Sequence, residues 1–222
     1  MSRARNGSLI LCAALLAAGA ASAIPSPAAA ADQPRVEVTP YYGWRMGGDF
    51  GDINVAGVSS LVIKDASAYG LILSINTDPH GQVDLQYSEE RTQLEAHGSG
   101  FASGHTTLFD LNVQNWQLGG NYSWSEPEAP VRGFIGFSVG WTTFDPRDSA
   151  FDGESLFAFS FYGGARIRLA KHVGLRLQAQ WIATRISSSS EVFCTSQGFC
   201  YIAADGELLD QFETAAGLTI KF

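Results

Sequence analysis

Hydrophobic and polar residues alternate with a period of two along most of the chain after residue 34. At the carboxyl end, Phe212, Thr214, Ala216, Leu218, Ile220 and Phe222 form one parity, and Glu213, Ala215, Gly217, Thr219 and Lys221 form the other. Successive side chains of a strand point to opposite faces, so this segment predicts a strand with one apolar face and one small, polar or charged face. Such a strand needs an apolar medium on one side and a hydrated or ion-paired interior on the other.

Seven earlier segments carry the same pattern. The first, Arg35 to Met46, sets Val36, Val38, Tyr42, Trp44 and Met46 against Glu37, Thr39, Tyr41 and Arg45. Pro40 interrupts its apolar face, and because proline donates no ladder hydrogen bond a bulge is expected there. The second, Ala66 to Asn76, turns Tyr69, Leu71, Leu73 and Ile75 outward. The third, from Gln82, opposes Val83, Leu85 and Tyr87 to Asp84, Gln86 and Ser88. The fourth, Thr107 to Trp124, changes phase: Phe109, Leu111 and Val113 share one parity and Trp116, Leu118, Tyr122 and Trp124 the other. A bulge near Gln114 and Asn115 would restore a single outward face. The fifth carries Ile135, Phe137, Val139 and Trp141, the sixth Phe157, Phe159, Phe161, Ile167 and Leu169, and the seventh Val173, Leu175, Leu177, Ala179 and Trp181.

Short connections (residues 78–81, 125–130 and 170–172) alternate with long ones. An even number of strands with short turns on one side and long loops on the other predicts an all-β, eight-stranded, antiparallel up-and-down transmembrane barrel. Closure follows from the solvent, since a lipid-exposed edge would leave backbone groups unpaired. The aromatics predict two belts, Trp44, Tyr69, Trp141, Phe157 and Trp181 near the loops and Tyr122, Trp124 and Phe222 near the turns. A soluble, lipocalin-like barrel is the rival reading, with the polarity inverted. The polar parity here is rich in Gly, Ser, Gln and Thr, as a narrow lumen requires.

The amino end agrees with export. Arg3 and Arg5 precede an uncharged run from Leu9 to Ala23 that ends in small residues, with a second small run over 28–31, so residues 1–31 read as a signal peptide and small-residue linker and residues 32–222 as the barrel. Processing after Ala23 or within 28–31 fits equally; a mature start near Asp32 is preferred. The apolar run is too short for a membrane anchor, and Leu11 before Cys12 does not suit lipoprotein processing. Of 14 basic and 22 acidic residues, only Arg3 and Arg5 fall in 1–31, leaving 12 against 22 and a mature charge of −10. Nucleic acid is an unsuitable partner for so acidic a chain. Cys194 and Cys200, the pair left after Cys12, predict one local disulfide in an oxidising compartment.

Three stretches carry a resemblance: Leu118 to Tyr122 (LGGNY), Gly163 to Arg166 (GGAR) and Gly217 to Phe222 (GLTIKF). In these the chain resembles the small eight-stranded outer-membrane barrels, the porin-like group that includes opacity proteins and the barrels of outer-membrane proteins A and W. The likeness extends over essentially all of residues 32–222. It implies residence in the bacterial outer membrane among lipids and lipopolysaccharide. It also implies that Leu218, Ile220 and Phe222 form the terminal signal read by the barrel-assembly machinery.

Parity and height place Glu37, Asp84, Arg166, Arg168, Arg176 and Lys221 in the turn-side half of the lumen, with Glu213 nearer mid-height. In a narrow, low-dielectric lumen these charges should pair. They form either a polar plug that fixes register or a gate whose ion pairs exchange to admit small solutes, with a mild preference for anions from four basic members against three acidic ones. Acidic residues in the long connections, among them Glu89, Glu90 and Glu95, read as solvated tips rather than a metal site. His97 and His105 share one loop and lack a third placed ligand. No histidine has a serine and a carboxylate at a catalytic spacing, so no catalytic, metal or cofactor residues are assigned. The expected function is a monomeric, porin-like structural envelope protein with at most narrow permeation. A surface-binding protein acting through its acidic loops and a lipid-modifying enzyme are the alternatives.

Overall fold

The computed structural model describes residues 36–55, 58–101, 103–147, 153–186, 192–194, 200–202 and 208–222. The signal peptide and linker expected over 1–31 lie outside them. Alternation in the sequence emerges as twelve strands: β1 Val36–Met46, β2 Asp49–Val55, β3 Val58–Ile63, β4 Ala66–Asn76, β5 Gly81–His97, β6 His105–Ser123, β7 Val131–Pro146, β8 Glu154–Arg168, β9 Val173–Arg185, β10 Val192–Cys194, β11 Cys200–Ile202 and β12 Leu208–Lys221.

Eight of these, β1, β4, β5, β6, β7, β8, β9 and β12, form a closed antiparallel ring in that order. The ring shuts because β1 pairs with β4 on one side and with β12 on the other. No backbone edge is left to lipid, which is the condition for strands to span a membrane at all. The other four strands are two small hairpins on the loop side. β2 and β3 prolong β1 and β4 after a break at Gly47 and Gly48, whose positive φ values of 84° and 118° let the chain change direction where other residues would be strained. The amide of Ile63 donates to the carbonyl of Gly48 at 2.8 Å and stitches that break.

Neither expected bulge forms. The β1–β4 register runs unbroken through Pro40, which lies opposite Leu71, and the β1–β12 register is the same on both sides of it. The missing proline N–H costs a ladder bond without adding a residue. Register is equally unbroken at Gln114 and Asn115, which pair with Glu89 and Ser88 on one side and Thr143 and Thr142 on the other. The register shift in β6 lies instead between the Leu94–Phe109 and Glu95–Thr107 pairs.

The apparent phase change in β6 has a different cause. Tyr87, Trp116, Trp141 and Phe157 share one ladder row across β5 to β8, and all four point outward. On the turn side of this row the outward residues are apolar, such as Leu85, Leu118, Val139 and Phe159, and the inward ones polar, such as Gln86, Gln117, Ser138 and Ser160. On the loop side the two faces trade character. Glu89, Arg91, Gln114, Thr143 and Ser155 point out, while Leu94, Phe109, Leu111, Val113, Phe144 and Leu156 point in. A tilted strand needs about 9–11 residues to cross a bilayer, and β6 has 19. The aromatic row therefore marks the membrane boundary, and the strands continue beyond it into water.

In that extension the inward apolar residues pack as a core of Phe50, Leu61, Ile63, Leu94, Ala96, Phe109, Leu111, Val113, Phe144, Leu156, Ile186 and Leu209. Phe50 and Phe144 meet edge to face with centroids 6.3 Å apart. The barrel is thus a membrane protein below the aromatic row and packed like a water-soluble one above it.

Candidate functional site

The lumen is built from the polar parity of the eight strands, and its charged side chains sort into three levels. At the turn end, Lys221 lies opposite Glu37 in the β1–β12 ladder, with Nζ 3.5 Å from the carboxylate. Glu37 is buried and Lys221 half-buried.

The next level centres on Asp84, which is fully buried. Its carboxylate accepts hydrogen bonds from Ser74 Oγ at 2.6 Å, Asn121 Nδ2 at 2.7 Å, the Tyr162 hydroxyl at 3.0 Å and an Arg176 guanidinium nitrogen at 3.0 Å. Four donors satisfy the lone pairs of one ionised carboxylate, which is the condition for burying it. Tyr162 reaches across the lumen because its ladder partner Gly136 has no side chain; a Cβ there would stand 2.4 Å from the tyrosine ring. Arg176 also donates to Gln178 Oε1 at 2.9 Å, and its guanidinium lies 4.6 Å from the centre of the Phe134 ring. The Arg166 guanidinium sits 4.5 Å from the same ring and donates to Asn121 Oδ1. Cation–π contact thus replaces water for two neighbouring cations.

Above them, neutral side chains fill the bore. Gln178 donates to Gln180, Ser138 and Ser160 both donate to Gln117 Oε1, and the Thr142 hydroxyl donates to Asn115 Oδ1 while sharing a hydrogen bond with Thr184. The highest charged level follows. Arg45 holds Glu213 through Nε at 3.0 Å and a terminal nitrogen at 2.5 Å, donates to Ser88 at 2.5 Å, and stands 3.5 Å from Glu90. All three charged groups are at most 2 % exposed. The apolar core of the extension closes the bore above this cluster.

The structure accordingly brings Asp84, Arg166 and Arg176 together, pairs Glu37 with Lys221, and gives Glu213 a different partner, Arg45. Arg168 lies apart from Asp84: it is exposed at the turn-side rim, where it lines one cavity with Glu37, Arg166 and Lys221. Arg45 and Glu90 are the functional-site residues that sequence reasoning missed. The sequence reads Glu90 among the loop acids, yet it continues the inward parity of Asp84, Gln86 and Ser88. That continuity is the signal in the chain, masked because the adjacent acids Glu89 and Glu90 read as a solvated connection.

The remaining candidates fall elsewhere. His97 and His105 are not loop residues but a ladder pair at the end of β5 and β6, their rings stacked at 5.6 Å. His80 stacks on Tyr122, with Nδ1 2.8 Å from the Ser123 carbonyl, and His172 Nδ1 lies 3.2 Å from the Lys221 carbonyl. Leu218, Ile220 and Phe222 face outward, and the Phe222 amide donates to Val36 at 2.9 Å. Backbone register sets Cys194 opposite Cys200, while their side chains lie outside the described residues.

Comparison with known proteins agrees with this architecture. The family model described as outer membrane protein beta-barrel domain matches residues 12–219. No curated protein matches the chain in sequence. Among solved structures, the fold is similar to Neisserial surface protein A, with a TM-score of 0.57 and 9 % identity over 84 % of this chain and 97 % of that one. It is also similar to OprG from Pseudomonas aeruginosa, with a TM-score of 0.58 and 13 % identity over 86 % and 97 %. Outer membrane protein AlkL in DMPC bilayers gives 0.52 and 16 % over 90 % and 96 %. At these identities the likeness is one of fold.

Proposed function

The chain belongs to the outer membrane protein beta-barrel domain family and lies in the bacterial outer membrane, and we propose that it acts there as a non-enzymatic structural envelope barrel whose lumen is closed to solutes. One observation carries the reading. The bore is obstructed at successive heights by ion-paired and hydrogen-bonded side chains and, above Arg45, by an apolar core, so an ion would have to break buried pairs and then enter hydrocarbon. Breaking a buried pair by removing one partner costs about 3–5 kcal/mol, and no passing ion offers repayment inside an apolar plug. The gate reading, in which the charges exchange partners, is the weaker of the two.

Reconstitution in planar bilayers tests this. Wild-type protein is expected to give no discrete conductance; reproducible steps whose ion selectivity changes in Arg176→Ala would overturn the proposal.

A second reading, surface binding, has its own support. Packing of Phe109, Leu111, Phe144 and Leu156 holds β5 to β8 in order beyond the membrane boundary, a rigid platform of the kind recognition requires. Deleting the loop tips at 98–104 and 148–152 while retaining the barrel checks it; unchanged attachment of cells to ligand-coated surfaces would dispose of this role.

The same proposal includes secretion by the signal peptide over 1–31 and insertion as a monomer, guided by Leu218, Ile220 and Phe222 as substrate for the barrel-assembly machinery. Lipids and lipopolysaccharide are its surroundings. It also includes the disulfide between Cys194 and Cys200. Directly opposed residues of antiparallel strands have Cα atoms about 4.5 or 5.5 Å apart, and both spacings fall within the span of a disulfide.

A further inference from the structure

At the turn-side mouth of the lumen lies a cavity of about 50 Å³, covered in part by Pro127 of the β6–β7 turn and lined by Glu37, Arg132, Arg166, Arg168 and Lys221. Its charge is unbalanced: four cations face one carboxylate, and that carboxylate is already held by Lys221. Among the described residues no carboxylate lies within ion-pair distance of Arg132, Arg166 or Arg168, and the buried Asp84, deeper in the bore, is bound to Arg176. Arg166 is more than nine-tenths buried, and its Nε, like that of Arg132, is buried without a hydrogen-bond partner. The hydrogen bonds these two guanidiniums do make go to neutral oxygens, Asn121 Oδ1 for Arg166 and the Pro79 carbonyl for Arg132.

Several guanidiniums around one small cavity repel each other, and a buried donor left unmade is costly. The arrangement suits a small anion: cationic side chains gathered around a volume that holds a few water molecules or one compact ion, with planar forks matched to oxyanions.

We propose that this vestibule is a binding site for a small free oxyanion of the phosphate class, held by Arg132 and Arg166 with Arg168 and Lys221 at the rim. It opens at the end that carries the short turns and the carboxyl terminus, so it samples small anions from that compartment without any passage through the barrel. The site is independent of whether the lumen conducts.

The test follows the side-chain Nε–Hε resonances of the arginines by NMR in detergent-refolded, full-length barrel during titration with inorganic phosphate at constant ionic strength. Saturable shifts of the Arg132 and Arg166 signals are expected, with Arg91 on the outer face unmoved. Arg132→Gln and Arg168→Gln, checked for folding by heat-modifiable electrophoretic mobility, are each expected to weaken the apparent affinity about tenfold, the scale of one charge-assisted hydrogen bond. Arg166→Gln should abolish saturation; should it fail to fold, the Arg132 and Arg168 variants decide. Linear, non-saturating shifts, saturation by chloride alone, or an affinity unchanged in the folded variants would each overturn the site.

Discussion

Arg45 stands directly across the closing seam of the barrel from Glu213, their backbones paired in the β1–β12 ladder and their side chains joined by two hydrogen bonds inside the lumen. The first and last strands are the only neighbours in the ring that meet through so long a separation in sequence. A one-residue slip of β12 would turn Glu213 to lipid and Phe212 inward. The pair therefore favours one register at the joint where the chain has least local guidance.

Removing one partner should be far worse than removing both. Arg45→Ala or Glu213→Ala is expected to destabilise the barrel by about 3–5 kcal/mol through the charge left unpaired. Arg45→Met with Glu213→Leu, made together with Glu90→Gln so that no buried carboxylate is left without its arginine, should lose less than either single variant. Urea unfolding in lipid vesicles, followed by tryptophan fluorescence, measures both.

The exchange of polarity at the row of Tyr87, Trp116, Trp141 and Phe157 predicts where a thiol meets water. Thr143→Cys, outward and beyond the row, should be labelled in intact cells by a membrane-impermeant maleimide. Val139→Cys, outward but on the lipid side, should be protected. Inside the extension, Phe144→Ala should cost about 3–5 kcal/mol as a core truncation does, and its unfolding midpoint reports the loss.

Asp78 in the β4–β5 turn accepts the backbone N–H groups of His80 and Gly81, both at 2.8 Å. The His80 amide foremost, then that of Gly81, holds its carboxyl below the ordinary range. A depressed carboxylate contributes stability above its unfolded-state pKa and loses it as pH falls through the folded value. Asp78→Asn should therefore flatten the acid limb of a stability-against-pH curve and change little under still more acid conditions, where Asp78 is protonated in both states.

A bond between Cys194 and Cys200 predicts that protein recovered from the outer membrane without reductant takes up no maleimide when unfolded, and two equivalents after reduction. Mass spectrometry reads the difference. Uptake without reduction would remove the disulfide.

Much of this architecture was legible in the chain. Eight barrel strands, their outward faces and the inward course of Glu37, Asp84, Arg166, Arg176 and Glu213 all follow from parity, because a strand allows each side chain only two directions. Parity does not say which side is wet. In β6 the switch from Phe109, Leu111 and Val113 to Trp116 and Leu118 looked like a bulge, yet the strand is regular and the surroundings change. The same limit concealed Glu90, an inward residue beyond the expected end of its strand.

What the sequence by itself determined is the alternation, and with it a closed antiparallel barrel, since no open arrangement of such strands satisfies its backbone in lipid. Only the tertiary structure decided which charges meet. Arg45 finds Glu213 and Glu90, and Arg176 rather than Arg166 takes Asp84, because partners across a lumen are set by the stagger of eight strands around the ring. That stagger arises when the first strand joins the last, and no segment of the chain carries it alone.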